Sequence, residues 1–166
     1  QASSSAASDV YKRQIDTFEG SGQEHANVNC NTMYDDFMRN LDDHIQDGRV
    51  IVNVNKSDNQ NILDFFDDKS VFGVIVDGSH TYEAVKQDII NWWPKVKDGG
   101  IMVGDDVSLK SVKQAAFDGF AYHGISTYNI CEGLEAWFSQ IRNDQNKEVA
   151  NSFKLIPGQN CMKLPG

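Results

Sequence analysis

Two short stretches hold residue types that do chemistry at a useful spacing: Asp77-Gly78-Ser79-His80 and Asp105-Asp106. Each follows directly on an apolar run, VFGVIV before Asp77 and IMVG before Asp105. In open α/β sheets ligands bind beyond the carboxyl ends of the strands, so these are the positions to inspect. Three carboxylates gathered at one sheet edge raise each other's pKa unless a cation neutralises them. Hard oxygen ligands in that number suit Mg²⁺, which keeps waters or takes a substrate oxygen in its remaining positions. His80 follows Asp77 on the same loop, within reach of a substrate hydroxyl held by such an ion. Imidazole titrates near neutrality and so can accept that proton. Metal and base together would make an alkoxide-like nucleophile. A plainer reading stands beside this one: Asp77 or Ser79 caps a helix starting near Thr81, and Asp105-Asp106 forms a turn.

The elements that must position these residues are legible as patterns. Residues 81–97 carry Tyr82, Val85, Ile89, Trp92, Trp93 and Val96 on one stripe, with Glu83, Lys86, Gln87 and Asp88 opposite, which predicts an amphipathic helix. Asp98-Gly99-Gly100 ends it, and residues 101–103 start the next buried strand. Val71–Val76 is apolar on both faces, as a buried central parallel strand must be. A right-handed crossover through the helix makes the two strands neighbours. Upstream, residues 31–45 predict a helix through Tyr34, Phe37, Met38, Leu41 and Ile45. Residues 49–55 predict a strand and 59–66 a short helix. Downstream, a helix over 108–122 is capped by Ser108 or Ser111, and 125–130, 134–141 and 153–164 read as strands. Alternation of strand and helix predicts an α/β fold with a mostly parallel sheet.

Composition narrows the function classes. The chain has 166 residues, enough for one domain. Lys plus Arg is 15 against 24 Asp plus Glu, a net charge of −9 without clustered cations. Nucleic acid and anionic membrane are therefore not expected partners. No apolar run approaches the length of a membrane span, and no secretory leader is visible. Cys30, Cys131 and Cys161 have no metal-ligand spacing and read as ordinary thiols of a cytoplasmic protein. A Gly-Asp-Asp tripeptide also marks viral RNA polymerases, but this chain is too short and too acidic for one. Residues 1–14 are assigned to a non-native or disordered tail: the opening is small and polar, and SAASDVYKRQ is similar to translated sequencing-adapter read-through. Residues 15–166 form the domain.

The block VIVDGSHTYEAVKQDIINWWPKVKDGGIMVGDDV, residues 74–107, resembles the centre of class I S-adenosylmethionine-dependent methyltransferases. It is most similar to small-molecule O-methyltransferases of the macrocin and mycinamicin sugar methyltransferase and cephalosporin-hydroxylase-like group. There an acidic DG-x-H-x-Y segment ends one strand, and an amphipathic helix, a GG turn and a strand ending in GDD follow. The resemblance covers residues 16–107 and implies a Rossmann-like fold with helices on both faces of the sheet. It implies S-adenosylmethionine and Mg²⁺ as cofactors, with Asp77, Asp105 and Asp106 as metal ligands and His80 as general base. It also implies Asp16, Ser57, Asp58 and Asp77 on the cofactor side; a helix cap before residue 59 is an equal reading of Ser57 and Asp58. The acceptor would be a hydroxyl of a small molecule, of sugar or polyol type.

The Gly-rich loop (E-x-G-x-x-x-G) that opens these domains does not precede Asp16, so the first strand and helix are expected to be missing. An exposed sheet edge would then favour homo-oligomers. Two alternatives remain: a non-catalytic scaffold with a degenerate or truncated methyltransferase fold, and a metal-dependent phosphoryl-transfer domain. The second lacks a phosphate-binding Gly-Lys loop.

Overall fold

The computed structural model describes residues 11–20, 30–125, 128–131, 135–139 and 161–163. The chain divides into two units, Gln1–Ser57 and Asp58–Gly166.

In the first unit, β1 (Lys12–Asp16) pairs in parallel with β2 (Val50–Val54), Lys12 opposite Val50 and Asp16 opposite Val54. The tail boundary drawn at Gln14 thus falls inside β1. Between the strands lie a 3-10 turn (Cys30–Thr32), α1 (Met33–Asn40) and α2 (Asp42–Gln46). The single helix expected over 31–45 is interrupted at Leu41, whose φ of −113° leaves helical geometry. Phe18, at φ +58°, is the buried anchor of this unit, its ring 5.2 Å from those of Tyr34 and Phe37.

The second unit opens with α3 (Gln60–Asp64), capped by Asn59, whose side chain accepts from Asn61 N. A five-stranded sheet follows, in the order β3 (Val71–Val76), β4 (Val96–Gly104), β6 (Ala136–Phe138), β5 (Asn129–Cys131), β7 (Cys161–Lys163). The β3–β4 pair is parallel, as its helical crossover requires, and the remaining three pairs are antiparallel. Only a short connection joins β5 to β6, which suits a hairpin and is too short for a parallel crossover. The parallel arrangement expected from the sequence therefore belongs to the strands that carry the candidate residues.

Three sequence expectations are corrected here. β3 is not central and buried on both faces. Among the described residues it ends the five-stranded sheet, with Phe72 62% and Ile75 72% exposed. The helix expected over 81–97 is α4 (Tyr82–Trp92), and a 3-10 turn (Trp93–Lys95) containing Pro94 ends it. Proline has no N–H to continue the helical ladder. The next strand then starts at Val96 rather than Ile101 and carries a register shift opposite Val71 and Gly73. Gly99 sits in that irregular stretch at φ +80°.

α4 packs on α5 (Lys110–Tyr122) through Ile89, which is fully buried against Gly119. A Cβ at Gly119 would lie 2.9 Å from that of Ile89, so the glycine sets how closely the helices approach. Around this seam Trp93, Phe120, Tyr128 and Trp137 form a chain of ring contacts. The stretches expected as strands at 125–130, 134–141 and 153–164 overlap β5, β6 and β7; Ile125, Tyr128, Glu135 and Ser139 are described and lie outside these strands, and the remaining residues lie outside the described ones. No described helix is long and apolar enough to cross a membrane.

Candidate functional site

Strand β3 delivers its chain to Asp77 and β4 delivers its chain to Asp105 at the same carboxyl edge, where Asp105 N donates to Val76 O at 3.3 Å. From there the two loops turn toward each other. His80 Nε2 lies 2.9 Å from Asp106 Oδ2. One ligand atom from each of Asp77, His80 and Asp106 lies within 4.8 Å of the others. Asp77 is exposed, whereas His80 and Asp106 are half-buried.

Local geometry explains why these three converge and Asp105 does not join them. Asp106 adopts φ +58°, the left-handed region that Asp tolerates better than most side chains. Asp105 Oδ1 accepts from Asp106 N at 2.8 Å and so stabilises that turn. Leu109 N donates to Asp106 O at 3.0 Å, and Val107 N donates to Glu135 O at 2.8 Å. Asp105 thus does the work of a turn residue, and Asp106 carries the carboxylate that meets the histidine.

The capping roles weighed for this loop fall elsewhere. Thr81 caps α4, its hydroxyl accepting from Ala84 N at 3.3 Å, with Ser79 Oγ in turn 3.3 Å from Thr81 Oγ1. Thr81, rather than Asp77 or Ser79, is thus the N-cap residue of α4. α5 begins after Leu109 with no side-chain cap, so neither Ser108 nor Ser111 caps it. Instead the Ser111 hydroxyl donates to His80 O at 3.0 Å and ties the histidine's backbone to the first turn of α5. Sequence reasoning missed this link, because nothing local distinguishes a capping serine from one that bonds a residue 31 positions away.

The donor set fits a divalent cation. Two carboxylates supply charge and hard oxygen, and an imidazole nitrogen adds a ligand that Mn²⁺ or Zn²⁺ accepts more readily than Mg²⁺ does. Without a cation, the same atoms form a carboxylate–imidazole pair.

The other sequence candidates fall in different places. Asp16 ends β1, and its Oδ1 accepts from Phe18 N at 2.8 Å, holding the turn after the strand. Asn55 N donates to Asp16 O at 3.0 Å, so Asp16 marks the carboxyl edge of the two-stranded sheet. Ser57 follows β2 in the first unit and Asp58 opens the second. Neither caps α3, since Asn59 does. Tyr82 and Trp92, expected as packing residues, do pack. Trp92 is buried beside Phe66, and Tyr82 donates to Asp118 Oδ2 at 2.7 Å across the α4–α5 seam.

Among solved structures the chain is similar to the O-methyltransferase NovP, at 18% identity and a TM-score of 0.61 over 80% of this chain and 60% of that one. It is also similar to a structural-genomics target from Corynebacterium glutamicum, at 16% identity and a TM-score of 0.52, covering 82% of this chain and 63% of that one. The chain thus spans about 60% of the length of NovP, and at these identities the likeness is one of fold. No curated protein matches. Residues 3–107 match the family described as methyltransferase domain. That match takes in β1 through β4 and the whole Asp77–Asp106 loop pair, and by it the chain belongs to the methyltransferase-domain family, with the Rossmann-like fold of class I methyltransferases.

Proposed function

We propose that this domain serves S-adenosylmethionine-dependent O-methyl transfer to a small-molecule hydroxyl of sugar or polyol type, with Asp77 and Asp106 holding a divalent cation and His80 acting as base. The observation that carries the reading is the meeting of Asp77, His80 and Asp106 at the carboxyl edge of β3 and β4 in a chain of this family. S-adenosylmethionine, when bound, would supply an electrophilic methyl group for the acceptor oxygen, with its sulfur as the leaving group. A cation on Asp77 and Asp106, Mg²⁺ or Mn²⁺, would lower the pKa of the acceptor hydroxyl. His80 would take the hydroxyl proton and become imidazolium, and Asp106, 2.9 Å from Nε2, would stabilise that charge. Ser111 keeps His80 in place through its backbone. Asp105 supports the turn and is a second-choice ligand, since its Oδ1 is engaged with Asp106 N. Asp16, Ser57, Asp58 and Asp77 are proposed on the cofactor side.

The test is calorimetric titration of the full chain with Mn²⁺ and Mg²⁺, beside Asp77→Asn, Asp106→Asn and Asp105→Asn, with circular dichroism to confirm folding. Binding lost in Asp77→Asn and Asp106→Asn and largely kept in Asp105→Asn is the expected result. A folded chain that binds neither ion would leave the carboxylates as turn residues and favour a non-catalytic scaffold. His80→Ala separates base from ligand: a base can be removed with metal affinity retained, a ligand cannot.

A further inference from the structure

We propose that Trp137 is a positioning residue for Asp106: packed on Gly104, it fixes the strand end from which the Asp106 carboxylate reaches His80. This rests on the metal-and-base reading of Asp77, His80 and Asp106.

The two residues of β4 that pair with β6 are its last ones, Val103 opposite Phe138 and Gly104 opposite Trp137. The indole of Trp137 occupies the place of a side chain at Gly104. A Cβ there would fall onto Cζ2 and Cε2 of the indole and lie 2.6 Å from Nε1. Trp137 is fully buried, with its ring 5.7 Å from Phe120 and edge-on to it. Phe120 is itself fully buried and lies 5.6 Å from the Trp93 ring. Close-packed interiors leave such a ring no room to swing aside, so the backbone at Gly104 is held under it.

The same short segment grips the chain on the far side of Asp106. Glu135, at φ +54°, turns its carbonyl to accept from Val107 N at 2.8 Å. Asp105-Asp106 is thus bracketed, with Gly104 under Trp137 before it and Val107 on Glu135 after it. Asp106 needs such a bracket, because its left-handed backbone persists only where the surroundings over-determine it. One more detail points to shape as the reason for the tryptophan. Its Nε1–H is buried with no hydrogen-bond partner among the described residues, a cost that an apolar ring would avoid. The reach of the indole over Gly104 is what the position uses.

The test compares Gly104→Ala, Trp137→Phe and their double variant in the full chain, with Ser139→Ala as control. Ser139 is equally buried and bonds Met102 N on the same strand pair, farther from Asp106. Two readouts are taken at matched folded fraction: the Mn²⁺ dissociation constant, and the NMR signals of the His80 ring and Asp106 amide in metal-free protein. Gly104→Ala should weaken Mn²⁺ binding about 10- to 100-fold, as loss of support behind a metal ligand does, and should shift both signals. Adding Trp137→Phe should recover part of the affinity, because the smaller ring frees space for the new methyl. Ser139→Ala should lower the melting temperature and leave affinity and signals unchanged.

Equal weakening by Ser139→Ala would reduce the effect to general destabilisation and overturn the proposal. A folded Gly104→Ala with parental affinity and signals would overturn it too. Should Gly104→Ala fail to fold, Trp137→Phe alone decides by the same two readouts. A parent chain that binds no Mn²⁺ would remove the metal reading, and the metal-free His80 and Asp106 signals would then decide the positioning claim.

Discussion

At the scale of single residues, Asp106 is asked for two things at once. Its backbone must sit at φ +58° and its side chain must present Oδ2 to His80 at 2.9 Å. Asparagine satisfies the first demand and not the second, since it tolerates the left-handed region but has no charge. Asp106→Asn should therefore melt within about 1 kcal/mol of the parent, the typical worth of a partly exposed ion pair, while losing cation affinity. Asp106→Val should fail on both counts, with a stability loss of about 1 to 3 kcal/mol from a β-branched residue in a strained conformation. Chemical denaturation of the two variants side by side checks this, and equal stability would mean that the turn is not held as described. The division of labour between Asp105 and Asp106 was not legible in the sequence. Two adjacent aspartates are chemically alike, and only the sign of one φ angle sends one carboxylate to a backbone N–H and the other to the histidine.

At the scale of elements, the sequence carried the periodic features and missed those set by tertiary contact. The stripe of Val85, Ile89 and Trp92 is buried as its spacing predicts, and β3 pairs with β4 in parallel, as a helical connection between neighbouring strands implies. The end of α4 was also written in the chain, at Pro94, but the following Gly-Gly pair was a stronger-looking stop. β3 misled because an apolar run reads the same whether or not a second strand covers it. In the α4–α5 layer, Gly119→Val should cost about 1 to 3 kcal/mol by overpacking Ile89, and a thermal melt reads it directly.

Tyr128 adds a pH dependence to the same layer. Its hydroxyl donates to Lys113 O at 2.9 Å, and burial, aided by the Asp118 charge, pushes the phenol up to about 12. The unfolded phenol ionises near its ordinary value of 10.0, so the folded state holds its proton over that interval. Its contribution to stability is complete below about pH 10 and is lost as pH rises toward 12, on the order of 2 kcal/mol in all. Urea melts across this range should show the fall, and Tyr128→Phe should flatten it.

At the scale of the whole molecule, the net charge of −9 and the carboxylates of the site act in the same direction. An acidic chain repels itself, and a dication held by Asp77 and Asp106 would relieve that repulsion locally while being attracted by the rest of the charge. Binding to the folded state alone raises stability by about 2.7 kcal/mol at a free ion concentration 100 times the dissociation constant. Both proposed ligands, and His80 beside them, lie in the unit of residues 58–166, in the loops that follow β3 and β4. The gain should therefore appear as slower hydrogen exchange at Val74, Val76, Val103 and Asp105 when Mn²⁺ is added, and should be absent in Asp106→Asn. Added NaCl should weaken the effect, because the long-range part of the attraction is screened beyond about 8 to 10 Å at physiological ionic strength. A salt-independent gain would mean that the ion feels only its immediate ligands. No gain at all in a chain that binds the ion would mean that binding and folding of these strands are uncoupled, which the bracketing of Asp106 by Gly104 and Val107 does not permit.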